Sequence, residues 1–431
     1  MPRLSVPQAR LCVIVTALCV FAASCGGNED DAEPTPTTGA AEDTVSVLGI
    51  WNNEELASFE AVVESWDGAM QFTGTRDITN ILATRVEADN PPDVAIPAEV
   101  GSLQRFAREG KLTPLSACPG LEEMVREHYP QAYIDLGTVD GTLYGFFMKA
   151  DTKATIFYSP KFFEAHALAP LSGDATFADL QALAQRIRDT GTPPWSMGQE
   201  AEGSSGFPGS DTIQQIILNE AGPEVYDGLI AGRTPFTDAE VKAAWEQFGA
   251  IALTPGSVAQ AETTGINTTG FEVASLVPFE DPPGAGMTHI GGFASGFISD
   301  AFPAAVPGED FDFFPWPGGG ITGGANVAFA FNSDPATCSF LSHIAGADAQ
   351  EVWVKRGAFT SLNTGVSLDM YPDAVSRRQA EQLTSAEVFR FDLDDAIGGT
   401  TQLALFQGVL DYLSDPASLD AILQRIEDTR P

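Results

Sequence analysis

From residue 44 onward the chain switches between two hydrophobic periods. Thr44-Val45-Ser46-Val47-Leu48-Gly49-Ile50-Trp51 is β-branched and alternates in polarity, which predicts a strand. The next stretch, 54–66, puts Leu56, Phe59, Val62, Val63 and Trp66 at helical spacing, with Asn53 placed to cap it. Met70-Gln71-Phe72-Thr73 predicts a second strand, and Asp77 is placed to cap a helix through Ile78, Ile81, Leu82 and Val86. Pro91-Pro92-Asp93 breaks the chain before the strand Val94-Ala95-Ile96, and a helix over 103–109 stops at Gly110. Strands alternating with helices in this order predict an α/β lobe with a largely parallel sheet.

The rest of the chain repeats the theme in a different order. Residues 141–147 and 155–158 predict strands, and helices follow near 160–166 and over 177–188. The stretch 176–265 reads as mostly helical, with 212–220 and 239–251 its clearest members. Extended structure returns over 287–298 and 311–316, and 325–331 predicts a strand. The last hundred residues return to helices, at 335–344, 347–357, 376–385, 401–413 and 416–429. Strand-rich parts split in sequence predict two α/β lobes.

The first 43 residues belong to neither lobe. Arg3 and Arg10 form a positive start, and residues 11–22 are an apolar run too short to span a bilayer but suited to a signal sequence. Ala22-Ala23-Ser24-Cys25 resembles a bacterial lipobox, in which the cysteine is lipidated and becomes the first residue; an ordinary signal cleavage is the rival reading. Residues 26–43 are polar, acidic and rich in Pro, Thr and Gly, the composition of a tether. Two or more acyl chains on Cys25 suffice for stable anchoring.

Charge then narrows the partners. The chain has 59 Asp and Glu against 22 Lys and Arg, and losing the signal takes the formal charge from −37 to −39. Such a body is repelled by phosphate backbones, so nucleic acid is excluded as a partner. With Cys12 and Cys19 lost in the signal and Cys25 taken as the anchor, Cys118 and Cys338 remain, and they either pair or stay free. CxxC and His-rich spacings are absent, so no metal or cofactor is expected. Gly318-Gly319-Gly320-Ile321-Thr322-Gly323 matches GxGxxG formally, but it follows Pro317 and lacks the βαβ context of a dinucleotide site.

Several stretches taken together resemble one family. They are Asn90-Pro91-Pro92-Asp93-Val94-Ala95, the turn at 107–115 (AREGKLTPL), Gly141-Thr142-Leu143-Tyr144-Gly145 and the stretch 156–163 (IFYSPKFF). The loop 194–211, Gly291-Gly292-Phe293, Ala349-Gln350-Glu351-Val352-Trp353 and the stretch 389–395 (FRFDLDD) complete the series. In register over about 45–427, these resemble a sugar-type extracellular (periplasmic-type) solute-binding lipoprotein of family 1, the receptor of a carbohydrate ABC transporter. Phe207 stands where that family usually has Trp, Thr212 replaces an aromatic, and the Pro often seen before Gly398-Gly399 is missing.

The resemblance implies an α/β, two-lobed periplasmic-binding-protein type II-like fold with a hinge of interlobe crossing strands. The expected organisation is signal 1–25, tether 26–43, first lobe 44–147, second lobe 148–286, first lobe again 287–331, and C-terminal helices 332–431 mainly on the second lobe. It implies a monomeric receptor that captures an oligosaccharide or glucoside and delivers it to membrane permease subunits, without catalysis. An exported, lipid-anchored glycan-active enzyme and a receptor for another polar solute, such as a polyol, are the alternatives.

A sugar site needs aromatic faces against C–H patches and planar charged groups against paired hydroxyls, at the carboxyl ends of strands between lobes. Trp51, Arg76 and Glu99 lie at such strand ends, with Glu55 in the following first helical turn; each has a packing, surface-charge or helix-dipole reading beside the binding one. Asp151 and Lys153 follow the hinge crossing, and either one of them faces the cleft or they form a structural salt bridge. The Gly/Ser-rich loop contributes Trp195, Glu200, Phe207 and Asp211, and the glycines around Phe293 allow close backbone approach. Asp392 and Asp395 either cap a helix or reach the cleft.

Overall fold

A computed structural model describes residues 44–262 and 265–430. The signal and tether expected over 1–43, Cys25 included, lie outside the described residues. The strands are β1 (Thr44–Gly49), β2 (Ala69–Gly74), β3 (Val94–Ile96), β4 (Thr138–Val139), β5 (Thr142–Leu143) and β6 (Gly145–Thr152). They continue as β7 (Thr155–Tyr158), β8 (Met287–His289), β9 (Asp312–Pro315), β10 (Gly320–Ala330), β11 (Thr360–Ser361) and β12 (Val388–Phe391).

The alternation seen in the first lobe builds a parallel unit. β1 pairs in parallel with β2 and β3, and α1 (Asn53–Val63), α2 (Ile78–Glu87) and α3 (Gly101–Arg108) follow the three strands in turn. Each helix buries the stripe its spacing predicted, such as Phe59 and Val62 on α1. The sheet continues in the order β11-β6-β10-β3-β1-β2, with β12 beside the start of β10. β10 runs antiparallel to β3 and β6, so the completed sheet is mixed. β7 lies between β8 and β9 in a separate antiparallel sheet.

Each lobe has its own core. The first joins Val47, Phe59, Phe106, Phe329 and Phe340, and Trp51 is buried there between Phe59 and Trp353, at ring distances of 4.8 and 4.9 Å. Cys118 and Cys338 are disulfide-bonded in this core, across a sequence separation of 220. The second joins Ile156, Trp195, Trp245, Phe314 and Val409. Among the described residues the chain passes between the cores three times: between Ala150 and Ala154, between Ile321 and Ala325, and between Phe391 and Leu393.

Two parts of the expected organisation differ. Residues 287–289 and 312–315, assigned to the first lobe, are β8 and β9, and they satisfy the two edges of β7 in the second. The helices Pro335–Ala345, Ala347–Val354 and Ala374–Ser385 place Phe340, Trp353 and Ala380 in the first core rather than the second. Only the helices over 393–427 join the second. The extended stretch predicted over 287–298 stops at His289, and after Gly291-Gly292 the chain turns into a helix, Ala294–Ala301. Period-2 patterning does not separate a short buried strand from a short apolar helix.

Candidate functional site

Side chains from both lobes and from the crossing strands converge on a cleft of about 840 Å³ of empty volume, open solvent included. The first lobe supplies Trp51 after β1, Arg76 after β2 and Glu99 after β3, the carboxyl ends of three parallel strands. Glu55 enters from the first turn of α1. The crossing strands supply Lys149, Asp151 and Lys153 from the β6 segment and Asn326 from β10. The second lobe adds Ser204, Phe207, Phe293, Asp394, Asp395, Gln402 and Phe406.

Local geometry explains how the second-lobe rings arrive. Gly206 takes a φ of 106° just before the helix Phe207–Ile216, and a Cβ there would lie 2.2 Å from the Phe406 carbonyl oxygen. That close approach brings Phe207 beside Phe406. Phe207 meets Phe271 edge-on at 5.0 Å, and Phe293 meets Phe271 at 6.4 Å.

A chain of charge runs along the cleft wall. Glu55 pairs with Arg76 at 3.0 Å and with Lys149 at 2.8 Å, and Lys149 pairs with Asp151 at 3.2 Å. Burial pushes the Glu55 carboxyl up, but the Lys149 and Arg76 cations outweigh it and hold it below the usual range. Burial dominates at Asp151, which is pushed to about 6 despite Lys149. Glu99 accepts from the Ser102 amide at 2.5 Å, yet burial raises it to about 7.

Lys153 anchors a second cluster at the hinge. Its ammonium bonds Asp211 at 3.0 Å, contacts Asp392, and lies 3.6 Å from Asp395. Asp392 also caps the helix Leu393–Ile397 through the amides of Asp394 and Asp395. Burial and the charge of Asp392 raise Asp395 to about 7. The oxygens of Asp211, Asp392 and Asp394 lie within 4.8 Å of one another, but Lys153 and the Gln214 amide already serve them.

The lobes touch across the cleft. Ser204 Oγ donates to the Arg76 carbonyl oxygen at 2.7 Å, and the Val100 amide donates to the Asp395 carbonyl oxygen at 2.8 Å. Arg76 reaches Glu272 at 3.8 Å and lies over the Phe271 ring at 5.4 Å. A Cβ at Gly101 would lie 2.5 Å from the Ile397 carbonyl oxygen, so the lobes meet backbone to backbone there.

Of the candidates read from the sequence, Trp51, Glu55, Arg76, Glu99, Lys153, Phe207, Phe293 and Asp395 line this cleft. Asp211 and Asp392 lie behind it, holding Lys153. Trp195 is 1% exposed in the second core, its amide bonded to the Ser257 carbonyl. Glu200 accepts from the Glu202 amide at 3.0 Å and does not line the cleft. A loop rich in Gly and Ser gives no periodicity from which to choose the inward-facing side chains.

Lys149, Asn326, Gln402 and Phe406 went unseen, although part of their signal is in the sequence. Lys149, Asp151 and Lys153 alternate along one strand segment, which puts them on one face. Asn326 is the register partner of Lys149, and Phe406 lies one helical turn beyond Gln402.

Comparison with known proteins agrees with this architecture. A sequence profile for bacterial extracellular solute-binding protein matches residues 69–380. The osmoprotective compounds-binding protein GgtB of Synechocystis sp. is 32% identical over 90% of this chain and 92% of its own. The alpha-glucosides-binding periplasmic protein AglE of Rhizobium meliloti is 29% identical over 88% and 85%. Among solved structures, a chitin oligosaccharide binding protein superposes with a TM-score of 0.76 at 18% identity, covering 89% of this chain and 98% of its own. The GacH receptor of Streptomyces glaucescens gives 0.70 at 18% identity, over 90% and 97%. These neighbours share the two-lobed fold of the type II periplasmic binding proteins. By its profile, its relatives and its fold, the chain belongs to the bacterial extracellular solute-binding protein family.

Proposed function

We propose that the protein is the receptor of a carbohydrate ABC importer, taking an oligosaccharide or glucoside between its lobes and passing it to the membrane permease. The observation that carries this reading is the unmet hydrogen bonding in the cleft. Trp51 Nε1, Glu99 Oε1 and Gln402 Oε1 are buried and have no hydrogen-bond partner among the described residues. A ligand rich in hydroxyls supplies both the donors and the acceptor they lack. The rings of Phe207, Phe293 and Phe406 suit its C–H faces, and Glu55, Arg76 and Asp151 suit paired hydroxyls. The name of one relative, for alpha-glucosides, supports the same class.

The relatives are binding proteins, and in this reading ligand-driven closure is the whole output, with no chemistry and no cofactor. No helix among the described residues is long and apolar enough to cross a membrane. Lipid on Cys25 provides the anchor, and the body works as a monomer. Calorimetry and thermal shift on the chain from Gly26, against mono- and oligosaccharides and polyols, test the reading. One sugar class is expected to bind and raise Tm. Silence across the panel overturns it, and product released from a glycan on long incubation makes the protein an enzyme instead.

A further inference from the structure

Two of the contacts that join the lobes sit beside a single carboxylate. Val100 gives its amide to the Asp395 carbonyl oxygen at 2.8 Å, and Gly101 packs on the backbone of Ile397 and Gly398. The residue before them is Glu99, which is 2% exposed, and a Cβ at Gly398 would lie 2.9 Å from its Oε2. The 395–398 segment of the second lobe therefore covers a carboxylate of the first.

That carboxylate is poorly compensated. Oε2 accepts from the Ser102 amide at 2.5 Å, whereas Oε1 is buried without a hydrogen-bond partner among the described residues. Arg105, on the same helix, attracts it, but Asp395 across the lobe boundary repels it more strongly. The cations that line the cleft are engaged elsewhere, Arg76 and Lys149 with Glu55, and Lys153 with Asp211 and Asp392. Asp394, also on the cleft wall, adds acid and no counter-charge. From the helix Gly399–Ser414 comes Gln402, whose Oε1 is likewise buried and lacks a donor.

We propose that closure of the lobes takes up a proton at Glu99, so that acid favours the closed form and base the open one. Opening the hinge parts Glu99 from the 395–398 segment and returns it to water, where an ordinary Glu is ionised near neutrality. Closing removes that water and brings Asp395 against it, and a neutral acid meets both changes at less cost than a carboxylate. A proton on Oε1 also turns an acceptor without a donor into a donor. In the closed form burial raises Glu99 from 4.5 to about 7, so the closed form binds more protons than the open one between those limits. The advantage it gives to closure is full below about 4.5 and is lost as pH rises through about 7. The proposal rests on the hinge motion of the receptor reading and is independent of which solute is bound.

The test is single-molecule energy transfer on the chain from Gly26 carrying Glu87→Cys and Ala243→Cys, two exposed positions on helices of the first and second lobes, with no solute added. The ratio of closed to open molecules is expected to rise at least about tenfold from about pH 8 to about pH 5. Glu99→Gln is expected to hold the ratio near its acid value at both ends, and Asp395→Asn to shrink the span. Two populations whose ratio ignores pH overturn the proton link and leave the receptor reading intact. A single population that neither pH nor the panel of sugars and polyols moves removes the hinge motion, and both readings with it. A pH dependence that survives undiminished in both variants places the proton elsewhere and overturns the assignment to Glu99. Circular dichroism on the same samples separates closure from unfolding, and a ratio that only tracks lost helix overturns the proposal.

Discussion

Phe207 and Trp195 come from the same loop, and the structure gives them opposite work. Phe207 lines the cleft, whereas Trp195 lies in the second core. Phe207→Ala is therefore expected to weaken sugar binding about tenfold, the scale of one lost aromatic contact, with Tm nearly unchanged. Trp195→Ala is expected to cost about 3–5 kcal/mol of stability through the cavity it leaves. Calorimetry and urea unfolding on the two variants separate the effects, and a Trp195→Ala protein of wild-type stability contradicts the placement. The contrast shows where sequence reading stops. Trp51, Arg76 and Glu99 were legible because a strand's end marks a position in space. Within 194–211 nothing local distinguishes a ring that faces a ligand from one that faces a core.

The crossing segments carry the next scale of argument. Lys153 stands on one of them and bonds Asp392 on another, so a single ammonium ties two hinge passages together. Lys153→Met is expected to destabilise the protein by about 3–5 kcal/mol, because it strands buried carboxylates without a cation. The same region makes stability depend on pH. Glu99 and Asp395 are raised from ordinary values of 4.5 and 3.8 to about 7, so the folded protein binds more protons than the unfolded chain between those limits. The stability they contribute is complete below their unfolded values and is lost as pH rises through about 7. The urea midpoint is expected to fall between about pH 5 and about pH 8, and Glu99→Gln to flatten the fall. An unchanged slope in Glu99→Gln assigns the titration to other groups. In sequence, the element types of the first lobe were legible, since β1 to α3 follow their periods. The ownership of β8 and β9 was not, because which sheet edge a strand satisfies is a long-range fact.

At the scale of the whole molecule, the negative charge of the chain has a kinetic consequence. A neutral sugar feels little of it, so the association rate is expected to change less than about twofold between about 0.05 and 0.5 M salt. A steep salt dependence in stopped-flow binding points to a charged ligand and against the carbohydrate reading. The disulfide acts at the same scale. Replacing Cys118 and Cys338 with Ser is expected to cost about 2–5 kcal/mol, since the bond closes a very long loop in the unfolded chain. A reduced protein with an unshifted urea midpoint contradicts this.

The position of β10 in its sheet has a consequence for how the protein is made. It lies between β3 and β6, yet it is encoded some two hundred residues after them, at 320–330. Until it emerges, the interior of the first sheet consists of two open edges waiting for a partner. Contacts of such sequence separation slow folding, and a chain that stays unfolded is one that can still be threaded through an export channel. Strand β10 therefore completes the first sheet late in synthesis. A chain ending before Gly320 is expected to stay protease-sensitive and to aggregate through those edges, even though it already contains β1 to α3.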